Sequence, residues 1–443
     1  MSQSWKDSYN SKKTSFEEAA SLVKSGDFIS TALGVGACSP EMYEAILNRH
    51  NELEGVRIMD SIQLRPTRLY DPKFMKSLDG QINYVPTFGI QTMRSSYSEN
   101  NVDYLVNTVL DGGDKTARCT DIFIVMVTPP DKNGYVNLGL TNDYTLQGIQ
   151  EGRASGRLRL AIGEVNENMP VVFGENYLHI SEFDYFIEHN SPIPAFTRNA
   201  PTELEHTIAQ YVLELIEDGD TIQMGIGGIP EAVVAGLHGK HNLGVHTEMF
   251  PMGLPNLVEE GVVTNACKPI HKGVSIGTFC LGDQTMYDYV AENPSCQIYP
   301  AVYTNNPALI GQHPKMVAIN MALMVDCSGQ VVAEGVGHQM ISGAGGQIDF
   351  ALGTYWSKGG KGITLLRSAR KLKDGRLVSN IVPELPPGTP VTVPRPYVHY
   401  MITEYGIADL RYKTRRERAQ ALIAIAHPEL RAELQQAVQK NFY

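Results

Sequence analysis

Glu248 closes the extended run Leu243-Gly244-Val245-His246-Thr247, 18 residues after Pro230 ends the loop Gln223-Met224-Gly225-Ile226-Gly227-Gly228-Ile229-Pro230. That spacing fits one helix and one strand, which would bring the strand end and the loop to the same edge of a sheet. A carboxylate at a strand end in an α/β chain lies on the side where such folds bind ligands. The alternative is a surface glutamate, as most glutamates are. The loop follows a strand and precedes a helix, so its glycines let backbone N–H groups approach phosphate or carboxylate oxygens. A tight strand-to-helix turn reads equally well. Its pattern is GxGGxP, and no acidic residue stands at the ribose-binding distance, so a dinucleotide fold is not supported.

Ser342-Gly343-Ala344-Gly345-Gly346-Gln347-Ile348-Asp349 is a second glycine-dense stretch. Small residues in a row could aim backbone donors at a developing oxyanion, or simply make a surface turn. Gly34-Val35-Gly36 has the same look as the loop at 225 and carries the same two readings, a substrate or oxyanion loop and a tight turn. Gly273-Val274-Ser275-Ile276-Gly277 satisfies the GxSxG string of serine hydrolases, yet Lys268-Pro269-Ile270-His271-Lys272 precedes it and no helix follows. That context argues against a nucleophile elbow. The twelve histidines form no HExxH and no Cys/His cluster at metal spacing, so no metal site is expected.

The elements that must position these groups repeat. Gly26-Asp27 opens a strand-like stretch, a Gly-x-Gly turn and Pro40-Glu41, and Gly219-Asp220 opens the same series ending in Pro230-Glu231. Asp131-x-x-Gly-x-Val recurs at Asp326, and the Pro-Val…Tyr-x-His stretch from Pro170 recurs from Pro390. Anchors in one order predict a duplicated architecture. Short apolar strands alternate with amphipathic helical stretches, which predicts two open α/β domains with parallel or mixed sheets. Pro192, Pro194 and Pro201 interrupt the chain, so the expected domains are 1–195 and 196–443, facing each other across a cleft that holds the site. Capping boxes at Thr202/Glu205 and Thr414/Glu417 mark two helix starts.

Composition narrows the class. The chain has 443 residues, 42% hydrophobic and 19% charged, with 37 Lys and Arg against 48 Asp and Glu. A net charge of −11 argues against nucleic acid and anionic membrane as partners. Six scattered cysteines without a CxxC pair, no signal-like start and no long apolar run fit a cytoplasmic enzyme.

Taken together, GIGGIPEAV at 225, HTEMFPMG at 246, FCLGDQTMYDYV at 279, SGAGGQIDF at 342, ITEYGIADL at 402 and ERAQALIAIAHPEL at 417 resemble the acetyl-CoA hydrolase/transferase family. The resemblance spans nearly the whole chain and is strongest to the 4-hydroxybutyrate and butyryl-CoA:acetate CoA-transferase branch. It implies that Glu248, in an H-[ST]-E-M motif, is the catalytic residue. It implies coenzyme A as a substrate, held by Gln223, Met224, Gly225, Ile226 and Gly227 and by Gly345 and Gly346, with further contacts at Ala369 and Lys373. There the sequence reads LLRSARKLKDG and departs from the family's small-residue pattern. No redox nucleotide and no metal is implied, and a homo-oligomer is.

The implied reaction is transfer of CoA between short-chain acids such as 4-hydroxybutyrate, butyrate and acetate, with acyl-CoA hydrolysis on the same scaffold as the alternative. A dicarboxylate such as itaconate or succinate would need a cation in the acid pocket, for which Arg65, Arg68 and Arg94 are candidates.

Overall fold

The computed structural model describes residues 4–78, 80–90, 102–196, 200–225 and 227–442. The chain forms two compact α/β units. The first comprises 1–196 and 276–304, the second 197–275 and 305–443. This differs from the expected single cut near 195, because residues 276–304 return to the first unit. Long-range pairing decides it. Cys296–Ile298 runs parallel to Phe173–Gly174, Thr141 bridges Phe279, and Cys280 N–H donates to Leu140 O at 2.7 Å. Gly174 is required there, since a Cβ would lie 2.1 Å from Ile298 O.

In the first unit six parallel strands run in the order Ile82–Tyr84, Val56–Ser61, Phe28–Leu33, Ile122–Val127, Leu160–Val165, Tyr185–Glu188. The run IFIVMV of Ile122–Val127 is buried at every position, as a parallel strand covered on both faces requires. The second unit repeats the plan: Gly244–Val245, Thr221–Met224, Met316–Met321, Lys361–Leu365, Tyr400–Thr403, Gly406–Asp409. Only the last pair is antiparallel.

The internal repeat persists at the level of hydrogen bonds. Asp131 Oδ1 accepts from the N–H groups of Asn133 and Tyr135, and Asp326 Oδ1 accepts from those of Ser328 and Gln330. Gly134 and Gly329 follow with φ of 85° and 95°, where a side chain would be strained. Both expected capping boxes close, at Thr202/Glu205 and Thr414/Glu417.

Candidate active site

Glu248 lies just beyond the carboxyl end of the edge strand Gly244–Val245, and Gly346 caps the helix Gln347–Trp356 that crosses between strands Met316–Met321 and Lys361–Leu365. Both lie within the second unit. The crossover helix starts at the carboxyl side of the parallel strands, so its free N–H groups and positive dipole end face the carboxylate. The Glu248 carboxylate accepts from Gly346 N–H and, at 3.1 Å, from Asn305 Nδ2. Asn305 is buried, and the same Nδ2 donates at 3.1 Å to Asp349 Oδ2 in the first turn of the helix. One amide group therefore holds two carboxylates at a fixed separation.

A Cβ at Gly346 would stand 2.0 Å from Glu248 Oε2 and 2.3 Å from Asn305 Nδ2. Gly346 is a glycine because the carboxylate occupies the space of a side chain. Gly345, with φ of 58°, turns the chain into the helix. The glycine-dense stretch thus leads into a helix start, and Gly346 meets Glu248 directly. Burial pushes the Glu248 carboxyl up from 4.5 to about 7, while the Asn305 and Gly346 donors pull it down. Thr247 Oγ1 donates to Met249 O at 2.9 Å and fixes the turn around the glutamate. His246 packs its ring 4.7 Å from that of His313 and 6.5 Å from that of Phe350, on the helix capped by Gly346. Burial, with Lys268 nearby, lowers His313 to about 3 and keeps it neutral.

The loop at 223–230 divides into different roles. Gln223 is buried and exchanges two amide hydrogen bonds, at 3.2 and 3.1 Å, with Asn320 on the neighbouring strand. Met224 and Gly225 line a cavity of about 330 Å³, together with Val234, Met249, Met252 and Leu257. Gly227 has φ of 135° and caps helix Gly228–Gly236. The Glu205 carboxylate, paired with Arg367 at 2.9 Å, lies against Gly228 at that helix start. Ile226 lies outside the described residues.

Ala369 and Lys373 share a separate hairpin, Ala369–Lys371 with Leu377–Ser379, and Lys373 is exposed near its tip. In the first unit Gly34 packs against Leu281, and the space at Gly36 is filled by Thr141, whose Cγ2 would be 2.1 Å from a Cβ. Arg68 is committed to Glu44 and Asn48. Arg65 is buried and donates to Ala37 O at 3.2 Å and Met126 Sδ at 3.6 Å. Arg94 lies outside the described residues. Ser275 is buried and accepts from Asn265 Nδ2 at 3.0 Å. Asn305 went unnoticed in the sequence, where Thr304-Asn305-Asn306-Pro307 carries no motif. Among the described residues no helix is long and apolar enough to cross a membrane, and no group of three or more His, Cys, Asp or Glu could hold a metal ion.

Residues 1–197 match the acetyl-CoA hydrolase/transferase N-terminal domain, and residues 282–438 match the corresponding C-terminal domain. The chain is similar to the 4-hydroxybutyrate coenzyme A transferase of Clostridium kluyveri, 42% identical over 323 residues that make up 73% of each chain. It is similar to the succinyl-CoA:cyclohexane-1-carboxylate CoA transferase of Geobacter metallireducens, 36% identical over 99% of this chain and 97% of that one. Among solved structures, RipA from Yersinia pestis matches with a TM-score of 0.88 at 32% identity, covering 99% of each chain.

Proposed function

The chain belongs to the acetyl-CoA hydrolase/transferase family, and from that premise we propose that it moves coenzyme A between carboxylic acids through a covalent adduct on its own Glu248. The observation that carries this reading is the seat of the Glu248 carboxylate, fixed by Asn305 Nδ2 and Gly346 N–H at the start of a helix. Such a group is oriented for attack and partly desolvated.

Transfer must conserve the free energy of the thioester, which water would dissipate. The Glu248 carboxylate attacks the acyl carbon, expels CoA thiolate and forms a mixed anhydride. The thiolate then attacks the glutamyl carbonyl carbon and releases the first acid as its carboxylate, leaving a glutamyl-CoA thioester. A second carboxylate reverses both steps, so no proton is gained or lost and the kinetics are ping-pong. Gly346 N–H, already directed at the carboxylate, is suited to the oxyanion of the glutamyl-centred intermediate. The apolar cavity beside Gly225 and Met249 is suited to the pantetheine arm of CoA, its three methionines adapting to an uneven chain.

The acids are short monocarboxylates of the 4-hydroxybutyrate, butyrate and acetate kind. Arg68 is spent on Glu44, which weighs against its serving a second carboxylate. The reading extends to a cytoplasmic setting, favoured by six unpaired cysteines, and to a homo-oligomer on family grounds. Intact-mass measurement after mixing with acyl-CoA tests the mechanism: the protein should gain the mass of CoA less water. Acyl-CoA consumption should require added carboxylate; loss that ignores the acid would instead indicate hydrolysis.

A further inference from the structure

The strand that presents Glu248 is two residues long and stands at the edge of its sheet. Its inner flank is served by the neighbouring strand: Gly244 N–H donates to Asp220 O at 2.8 Å, and His246 N–H to Ile222 O at 3.2 Å. Val245 faces the other way, and side chains meet both of its backbone groups. Its N–H donates to Asn265 Oδ1 at 2.8 Å, and its carbonyl accepts from Lys268 Nζ at 2.8 Å. The two side chains do for Val245 what another strand does in a sheet interior.

Both are themselves held. Asn265 Nδ2 donates to Ser275 Oγ at 3.0 Å, which gives the serine of the GxSxG string a structural task. The Lys268 ammonium also donates to Val274 O at 2.6 Å. Asn265, Lys268 and Ser275 are 3%, 2% and 1% exposed. Gly244 must be glycine, because a Cβ there would lie 2.7 Å from Lys268 Cγ. Burying an ammonium group is costly, and an apolar side chain of similar length would fill the space without that cost. Burial pulls Lys268 down to about 7, and in either protonation state its N–H groups can serve the Val245 and Val274 carbonyls.

We infer that Asn265 and Lys268 are positioning residues for the transfer reaction: they clamp Val245 so that Glu248, three residues on, is delivered to Asn305 and Gly346. The inference rests on the reading of Glu248 as nucleophile. Asn265 has φ of 55°, so Asn265→Gly removes the clamp without straining the backbone, and Asn265→Asp keeps the accepting oxygen. Lys268→Met fills the volume without a donor.

The measurement is the rate of glutamyl-CoA formation per active site, by rapid-quench mass spectrometry, beside KM for acyl-CoA. Asn265→Gly and Lys268→Met should each slow adduct formation at least tenfold with KM within twofold of the parent, and Asn265→Asp should stay within threefold of the parent rate. Parent-like rates in the Gly and Met variants would overturn the clamp. So would an equal loss in Asn265→Asp, or a loss that only follows the folded fraction measured by circular dichroism. No adduct in the parent enzyme overturns the nucleophile reading and the clamp together; an adduct in the parent with unchanged variants overturns the clamp alone.

Discussion

Asn305 divides the two protons of its amide between Glu248 Oε2 and Asp349 Oδ2, each at 3.1 Å. The donor to Glu248 stabilises the ionised form, which is the form that the proposed attack requires. Asn305→Ala should therefore do two things. It should raise the apparent pKa on the acid limb of the kcat/KM profile, and it should lower kcat by about 10²-fold, the usual cost of a reacting group left about 1 Å out of place. A profile with an unmoved limb would mean that the amide does not act on the nucleophile.

The acid limb itself is the second prediction. Burial sets the Glu248 carboxyl at about 7, so activity should rise with pH through that value as the carboxylate forms. The same shift affects stability. The unfolded group titrates near 4.5, so the folded state binds the proton more tightly, and stability is lost as pH climbs from 4.5 through about 7. The loss approaches roughly 3 kcal/mol at pH 8. Glu248→Gln should abolish exchange yet resist denaturant better than the parent at pH 8, with no advantage below pH 4.5. Equal midpoints for parent and variant at pH 8 would show that the carboxylate is not desolvated.

What the sequence revealed and concealed follows from the range of the interactions. Asp131 and Asp326 cap identical turns with bonds to residues two and four positions on, so a local motif carried the duplication into view. The capping boxes at Thr202 and Thr414 are equally local. Glu248 and Gly346 were legible as strand end and glycine-rich turn, but their contact spans almost a hundred residues and no spacing predicts it. Asn305 lies 57 positions from Glu248 in a stretch without pattern. The return of residues 276–304 to the first unit depends on Gln297 pairing with Phe173, which is again beyond any periodicity. The clamp on Val245 spans only 20 and 23 positions, but it joins single side chains to backbone atoms, and such bonds leave no periodicity or motif to read.

Arg68 supplies a negative prediction. Its guanidinium is held by Glu44 and Asn48 and lies 4.5 Å from the centre of the Phe74 ring. Arg68→Ala should leave the ranking of acids in an acceptor panel unchanged and cost about 1 kcal/mol or less of stability. A selective loss of dicarboxylates would show that Arg68 recognises substrate.

Gly346 has no room for even a methyl group. In Gly346→Ala the Cβ would fall on Glu248 Oε2 and Asn305 Nδ2, so one of the two must move. The variant should lose exchange by about 10²-fold or more, while the helix it caps persists. Residual activity near that of the parent, measured with the far-ultraviolet spectrum intact, would place the reacting carboxylate elsewhere.

The glycines at 225 and 227 separate ligand approach from backbone need. Gly227 has φ of 135°, and its Cβ would lie 2.9 Å from Met321 Sδ, so any side chain there is strained before a ligand is considered. Gly225 has no such φ, and its nearest neighbours would be 3.6 Å from a Cβ, in ordinary contact. Gly225→Ala should therefore fold with parent stability to within about 1 kcal/mol. Because Gly225 lines the cavity beside Met249, the added methyl should raise KM for acyl-CoA about tenfold and leave the acid acceptor's KM alone. Gly227→Ala should instead lower the melting temperature along with activity. If Gly225→Ala binds acyl-CoA as the parent does, the cavity is not the path of the cofactor's arm.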